Sequence, residues 1–562
     1  MGETERSQAE AGDSAGVNDW PLRPWLLAGL LGVAGLLIHL VTHGNDDVPW
    51  QMATAAFLFF GSIAAAYTLD ERRWQEPAAF AAVVGLVMAG LAWRAVQYGE
   101  YLPDEQYGFA AGVVATALAL PLFQAGFHRR RLKTPYGEIY HHIWTDAISA
   151  VGALAFTGIA WLVLALLGAL FHLLKIDLLR DLMNEEWFGW TYSGIAAGAA
   201  LGILRNQFKV IGTLQTVVLL VASLLAVPLA VALVVFLLAT VVSGPQVLWE
   251  ATRSATPVLL ACAAGAFVLA SAILRQDDAA MTGSRVMRLA ALVLAVVILP
   301  LAVFAAVSMG LRLNQYGLAP ERLWGLVAIV VACAWGLGYW VALARGRRSG
   351  WARQLRDANF ALALGVSALA LFLALPILDF GAISTRNQVA RLQSGKVTPE
   401  EFDYTALRWD FGEPGRKALE RLAKGGRAEV AERAQIALEQ TQRPPVFYAG
   451  DRAIRTDEDF VLRVQPDTPE LRRRVLDQLR ANPWLCAERC VALDLGANRV
   501  GIVQGSALQI VDLGSGEQLA PPPPIKVARP DEGLKDTSTV DIRPWSGRQV
   551  YVDDRPVGAP FE

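Results

Sequence analysis

Eleven apolar stretches fill residues 24 to 380, and Lys and Arg collect in every second gap between them. A helix needs roughly 20 apolar residues to cross the hydrocarbon core of a bilayer. In lipid every backbone N–H and C=O must be bonded within the protein, so runs of this length fold as spanning helices. The runs lie at 24–42, 50–69, 77–96, 107–127, 143–174, 188–204, 210–242, 254–274, 286–311, 321–344 and 357–380. The sixth is short. The seventh holds Pro228 and is long for one crossing; it reads as a single helix, tilted or kinked at the proline.

The basic residues test this count. The leader and the even gaps hold 18 Lys and Arg, among them Arg129, Arg130, Arg131, Lys133 and the cluster Arg345 to Arg356, against 5 in the odd gaps. Lys and Arg stay on the cytoplasmic side of short loops. The N-terminus is therefore expected in the cytoplasm, and eleven crossings put the C-terminal tail on the far side. The basic loops serve first to orient the chain and are also the candidate contacts for anionic lipid headgroups. Trp50, Trp93, Trp187, Trp190, Trp324 and Trp340 fall near span ends, as an interfacial aromatic belt requires.

Composition divides the chain. Overall 54% of residues are hydrophobic and 18% are charged, against about 25% charged in ordinary soluble domains. The deficit lies between Trp25 and Phe380, and charge is normal after Gly381. The fold class expected is an all-α polytopic membrane helix bundle with a C-terminal soluble α+β domain. Residues 1–23 form a polar leader, expected to be disordered and cytoplasmic, with no cleavable signal peptide. Residues 24–380 form the transmembrane domain and 381–562 an extracytoplasmic domain, helical over 381–480 and strand-rich over 485–562. In the tail, Thr398-Pro-Glu-Glu401 has the pattern of a capping box with Pro at the first helical position. Helical periodicity runs through 415–441 and 468–480. Strand-like runs at 490–495, 500–503, 508–513 and 549–552, with turn signals at Asn498 and Gly505-Ser506, suggest a small antiparallel sheet. Pro521 to Pro524 reads as an extended link. The net charge of -2 points to no nucleic-acid partner.

Residues that could carry chemistry are few. Glu138, His142 and Asp146 stand at i, i+4 and i+8 at the start of the fifth span, one face of a helix, and are the only metal-ligand candidates; a wet helix end is the plainer reading. His39, close to His43, and Arg94 are placed to snorkel toward a nearby interface. The central halves of most spans carry no charge, which disfavours a proton-coupled pump. No Gly-x-Ser-x-Gly, His-Glu-x-x-His or P-loop pattern occurs, so an enzyme is the least favoured class and no cofactor is expected. Gly194, Gly198 and Gly202 repeat at intervals of four, and Gly29, Gly32 and Gly35 at intervals of three; both series allow close helix packing. Cys486 and Cys490 could close a small disulfide loop in an oxidising compartment. Free thiols are the alternative, and a metal pair is disfavoured because the tail has no His.

The segment Arg312-Leu-Asn-Gln-Tyr-Gly-Leu-Ala-Pro-Glu-Arg322 links the ninth and tenth spans. Pro320 suits a first helical position and Gly317 a tight turn. This segment, with Arg312, Asn314, Tyr316, Gly317 and Arg322, resembles the hallmark of a bacterial multi-pass family known as domain of unknown function 4153. The stretch from Asp379 to Lys396 is similar to the segment after the last helix in that family. The resemblance covers roughly residues 24–425; Ala319 stands where the family usually has Thr. It implies an integral protein of the bacterial inner membrane and no activity.

Two functions then compete. One is a transporter or channel-like protein for a neutral or lipid-like substrate, with Tyr192, Ser193, Thr213, Gln215, Thr216 and Asn359 as candidate path residues. The other is an envelope sensor or assembly protein acting through the C-terminal domain on an unknown envelope partner. The lipid bilayer is the one partner common to both.

Overall fold

The computed structural model describes residues 20–43, 48–99, 102–103, 105–244, 255–347, 350–440, 443, 460–486, 489–496, 498–504, 507–514, 518–519, 548–552 and 555–561. Residues 1–19 of the leader, the polyproline run and the Gly505-Ser506 turn lie outside the described residues. The chain divides into two compact units, Met1–Asp379 and Phe380–Glu562.

The first unit is built from α1 (Arg23–Thr42), α2 (Pro49–Thr68), α3 (Gln75–Tyr98), α4 (Glu105–Gln124), α5 (Tyr136–Leu173), α6 (Glu186–Asn206), α7 (Phe208–Ser243), α8 (Ala255–Leu274), α9 (Arg285–Tyr316), α10 (Pro320–Gly346) and α11 (Trp351–Ala374). Ten of these, all but α6, are long and apolar enough to cross a membrane. Their outer faces are apolar too: Leu154, Leu162, Leu166 and Leu170 on α5 and Val231, Val235 and Leu238 on α7 are exposed. Such a surface would aggregate in water, so the solvent of this unit is a lipid bilayer. The seventh span is one continuous helix with Pro228 inside it.

Helix α6 is less apolar and packs closely on α1. It runs antiparallel along the whole of α1. A Cβ at Gly194, Gly198 or Gly202 would strike the backbone of Leu31, Leu27 or Pro24 in turn, and one at Gly35 would strike Trp190. Helix α6 is thus coextensive with α1, side by side with it over the same depth of the unit. Alternating crossings also require helices of unlike parity to be antiparallel. That holds for α1 and α6. It holds again for α4 and α11: Ala111, early in α4, clusters with Ala374 at the end of α11, while Leu122, late in α4, packs beside Phe360 and Leu364 near the start of α11.

Buried polar ties bring the basic gaps together at one end of the unit. Arg23 Nη1 donates to Asn206 Oδ1 (2.8 Å) and to the Arg205 carbonyl (3.1 Å). Arg205 Nη2 donates to the Leu69 carbonyl (3.3 Å). Gln124 Nε2 donates to Asp146 Oδ1 (3.2 Å). Arg356 Nη1 donates to the Leu274 carbonyl (2.8 Å) and its other arm pairs with Asp278. Starts of odd helices thus meet ends of even ones, and the charge rhythm along the chain becomes a single basic end in space.

The second unit opens with α12 (Phe380–Gln393), α13 (Tyr404–Trp409), α14 (Gly412–Ala423) and α15 (Ala428–Glu439). The Thr398 hydroxyl does accept from the Glu401 N–H (3.4 Å), but only a turn comes after it. The helix starts at Tyr404, where the Asp403 carboxylate accepts from the Ala406 N–H (2.8 Å); an ionised acceptor makes the stronger cap. The periodic run 415–441 is two helices, broken at Lys424–Arg427, where Gly425 and Gly426 sit. Next come β1 (Val461–Gln465), α16 (Pro469–Ala481), β2 (Arg489–Gly496), β3 (Arg499–Gln504), β4 (Ala507–Asp512) and β5 (Gln518–Leu519), then a separate hairpin of β6 (Arg548–Val552) and β7 (Arg555–Phe561). The sheet is not purely antiparallel. Strand β1 pairs parallel with β2, which requires the crossover that α16 supplies; β2 to β5 are antiparallel. Asn498 turns β2 into β3 at φ +65°, a conformation Asn tolerates. Cys486 and Cys490 are joined in a disulfide, buried in the core beneath α16 with Val475, Leu479 and Ala492.

Tyr404 is fully buried and its hydroxyl has no hydrogen-bond partner among the described residues. A buried hydroxyl left unpaired costs about 1–3 kcal/mol, so Tyr404→Phe should stabilise the α13–α15 region by roughly 1 kcal/mol. Burial also pushes the phenol up to about 12. The folded state then holds its proton where the unfolded chain, near pH 10, has lost it. Stability is complete below pH 10 and falls as pH rises through 12. Hydrogen exchange of residues 404–440 against pH checks both effects: the phenylalanine variant should be better protected and lose that alkaline slope.

Candidate functional site: an apolar cavity in the membrane unit

Helices α4, α8, α10 and α11 line a half-open cavity of about 560 Å³, with Ile298 of α9 on one wall. Seven of its 19 lining residues are Ala and none is charged. The alanines explain the space: where facing helices both present Ala110, Ala263, Ala332 or Ala370, the side chains cannot meet. From Trp324 to Trp335 it extends about 16 Å along α10 at 1.5 Å per residue, in the half of the unit away from the basic end. The volume lies in the range of sites for small molecules, about 300–1,000 Å³. Its uncharged apolar walls offer an ion no partner.

The motif hairpin sits at its rim. Helix α9 ends at Tyr316, and Gly317 takes φ +74°, which a Cβ would strain. Arg322 Nη1 donates to the carbonyls of Gly317 (2.7 Å) and Tyr316 (3.2 Å), and its guanidinium lies 5.5 Å over the Tyr316 ring. A cation thus caps the negative end of α9 and ties it to the first turn of α10. Two residues on, Trp324 stacks on Tyr107 of α4 (5.5 Å, 17°) and lines the cavity. Asn314 is exposed and Arg312 half-buried on the same last turns of α9. Trp324 is half-buried there, whereas Trp50, Trp93, Trp187, Trp190 and Trp340 are exposed.

At the deep end, Phe267 meets Trp335 edge-on (4.8 Å). Behind Trp335, Asn359 Oδ1 accepts from Tyr339 Oη (2.7 Å) and from Trp335 Nε1 (3.3 Å), and its Nδ2 donates to Tyr136 Oη (3.4 Å). Asn359 is thus a buried strut and does not line a path. Nor do the other candidate path residues line the cavity. Tyr192 donates to the Ala160 carbonyl (3.0 Å), Ser193 accepts from Trp161 (3.0 Å) and Thr216 donates to the Gly212 carbonyl (2.8 Å). Gln215 is buried and Thr213 neighbours it on α7.

Glu138, His142 and Asp146 share a face of α5 but do not converge on one point. Glu138 and Asp146 are eight residues apart, about 12 Å along the axis, too far for one ion. Glu138 is held by Arg130 (2.7 Å to both oxygens), and Asp146 by Gln124. In the basic run, His128 (3.3 Å) and Arg129 both pair with Glu76. His39 does not snorkel; it is buried against α6, 3.8 Å from Glu186. Sequence reasoning misses the alanine-lined cavity, since its walls come from four helices scattered over some 260 residues of chain. The one available signal is Trp324, two residues past the motif arginine.

The family described as "domain of unknown function (DUF4153)" matches over residues 54–422. Neither a curated protein nor a solved structure matches the chain.

Proposed function

Since the chain belongs to the DUF4153 family, whose description carries no activity, we propose its function from the cavity: it binds a neutral, lipid-like molecule within the membrane and serves as a transporter or channel-like protein for it. The observation that carries this is the uncharged space of about 560 Å³ among α4, α8, α10 and α11. An apolar chain gains there by contact with aromatic and aliphatic walls, while a charged substrate would meet no partner. The setting proposed is a bacterial inner membrane with the basic end in the cytoplasm and the second unit in the periplasm. The supporting feature is the gathering of the leader and even gaps at one end. The basic loops there are the proposed contacts for anionic headgroups.

The test is photolabelling of the protein in lipid nanodiscs with a diazirine-bearing fatty acid, with peptide mapping of the product. Label should concentrate on Tyr107–Val114 and Trp324–Trp335, and Ala332→Phe, which fills the space, should remove it there while leaving other lipid-facing sites labelled. Uniform labelling of the outer faces, unaffected by Ala332→Phe, would sink the reading.

A second reading is an envelope sensor or assembly protein acting through the second unit. It is favoured by a groove of about 410 Å³ between α12 and α14–α15, with Leu392, Leu422 and Val430 along it and Arg421 and Arg427 beside them. Label confined to that groove would favour it.

A further inference from the structure

At the end of the membrane unit away from the basic residues, α1 finishes and α6 begins side by side. His39 and His43 stand one turn apart on α1 and at its end, and Glu186 is the first residue of α6. Their ligand atoms all lie within 4.8 Å of one another, the only such group of three among the described residues. We propose that His39, His43 and Glu186 form a binding site for a divalent metal ion of the imidazole-preferring kind, Zn²⁺ first.

The geometry carries this in three steps. First, the donor set is two imidazoles and one carboxylate, the composition that holds zinc with a fourth position open to water. Hard cations such as Mg²⁺ take oxygen ligands and would not choose it. Second, the spacing fits an ion better than a direct bond. His39 Nδ1 lies 3.8 Å from the Glu186 carboxylate, too far for a hydrogen bond. Zinc bonds of 2.0–2.1 Å in a tetrahedron set ligand atoms roughly 3.4 Å apart, so this pair must close by about 0.4 Å and no pair in the group by more than about 1.4 Å. The two imidazoles lie side by side with ring centroids 4.9 Å apart. Third, the backbone that presents the ligands is held rigidly. The glycine seam locks α1 to α6 one turn away at Gly35 against Trp190, so Glu186 cannot drift along α1. His39 is buried while His43 and Glu186 are exposed, which gives the ion an anchored ligand and a route in from solvent. The bound ion would tie α1 to α6 at this end as the Arg23–Asn206 bond ties them at the other.

The experiment is zinc titration of untagged, chelator-treated full-length protein in detergent micelles by calorimetry, with Mg²⁺ as the control ion. One Zn²⁺ per chain is expected to bind and raise the melting temperature, with no heat from Mg²⁺. Changing even an outer-shell partner of a metal costs about 10–100-fold in affinity. Removing a ligand in His43→Gln or Glu186→Gln should therefore weaken zinc binding by about 100-fold or more. Both residues are exposed, so both variants should elute and melt like the metal-free wild type. Co²⁺ should give the visible absorption of a tetrahedral site in the wild type and lose it in both variants. The proposal is overturned by absence of stoichiometric binding, or by zinc binding that both variants leave unchanged.

Discussion

Gly198→Leu should abolish most of the folded membrane unit. A Cβ at this position would lie 2.6 Å from the Leu27 carbonyl carbon and 2.8 Å from the Ala28 nitrogen, backbone atoms that no rotamer change can move aside. The helices would have to separate along the whole seam, because Gly194 and Gly202 make the same approach one turn to either side. Overpacking a tight core costs about 1–3 kcal/mol where side chains can yield; here the cost should exceed about 3 kcal/mol. Gly158, on the exposed face of α5 with nothing within 4 Å of an added Cβ, is the control. Thermal denaturation in detergent should show Gly158→Leu melting like wild type and Gly198→Leu aggregating or melting far lower. Equal melting of the two would mean that α6 does not pack on α1 as described.

The seam also bears on how many helices cross the bilayer. Ten helices qualify on apolarity alone, and an even number would return the chain to the end at which it started. Arg23, at the start of α1, shares the basic end with Asn206 and Arg205. Ala374, at the finish of α11, clusters with Met88, Leu91 and Ala111 well away from the Phe360 and Leu364 side of the same helix. The start of α1 and the finish of α11 therefore lie at opposite ends of the helix bundle, the arrangement an odd count would give. Helix α6, coextensive with α1, is the helix that would make the count odd.

Much of this is legible in residues 24 to 380, because apolar length is a local property and each spanning helix declares itself. The four-residue glycine interval is legible for the same reason, and the continuous α7 as well. What the chain does not declare is which distant helices face each other. The cavity depends on alanines of α4, α8, α10 and α11 meeting across a gap, and an alanine in a spanning helix is as ordinary on a lipid face as on a void. The group of His39, His43 and Glu186 is hidden likewise: its third member arrives only because α1 and α6 are antiparallel and coextensive. The Glu138, His142 and Asp146 reading fails for a local reason. A shared face is not a shared point, and two turns of helix separate the outer pair by more than any ion spans. In the second unit, β1 is invisible to strand patterning because a parallel strand finds its partner across a helix, and no hairpin turn marks it.

Arg322→Ala should connect the family motif to the cavity. Arg322 holds the last carbonyls of α9 and stacks over Tyr316. Bonds from a charged donor are worth about 1.5–3 kcal/mol, and partial exposure of the guanidinium lowers this, so the loss should be about 2 kcal/mol in all. Without that tie the hairpin no longer fixes the first turn of α10, and Trp324 loses its position against Tyr107. The variant should melt lower and take up less photoreactive fatty acid in the cavity. Arg322→Lys keeps the charge and one donor group but not the planar stack, and should fall between. Tyr107→Ala separates the two roles: it breaks the ring stack at the rim while leaving the hairpin bonds intact. It should therefore change labelling of the cavity with a smaller fall in melting temperature than Arg322→Ala. Were Arg322→Ala to destabilise the protein while cavity labelling stayed at the wild-type level, the motif would be a helix-end device alone, with no part in shaping the binding space.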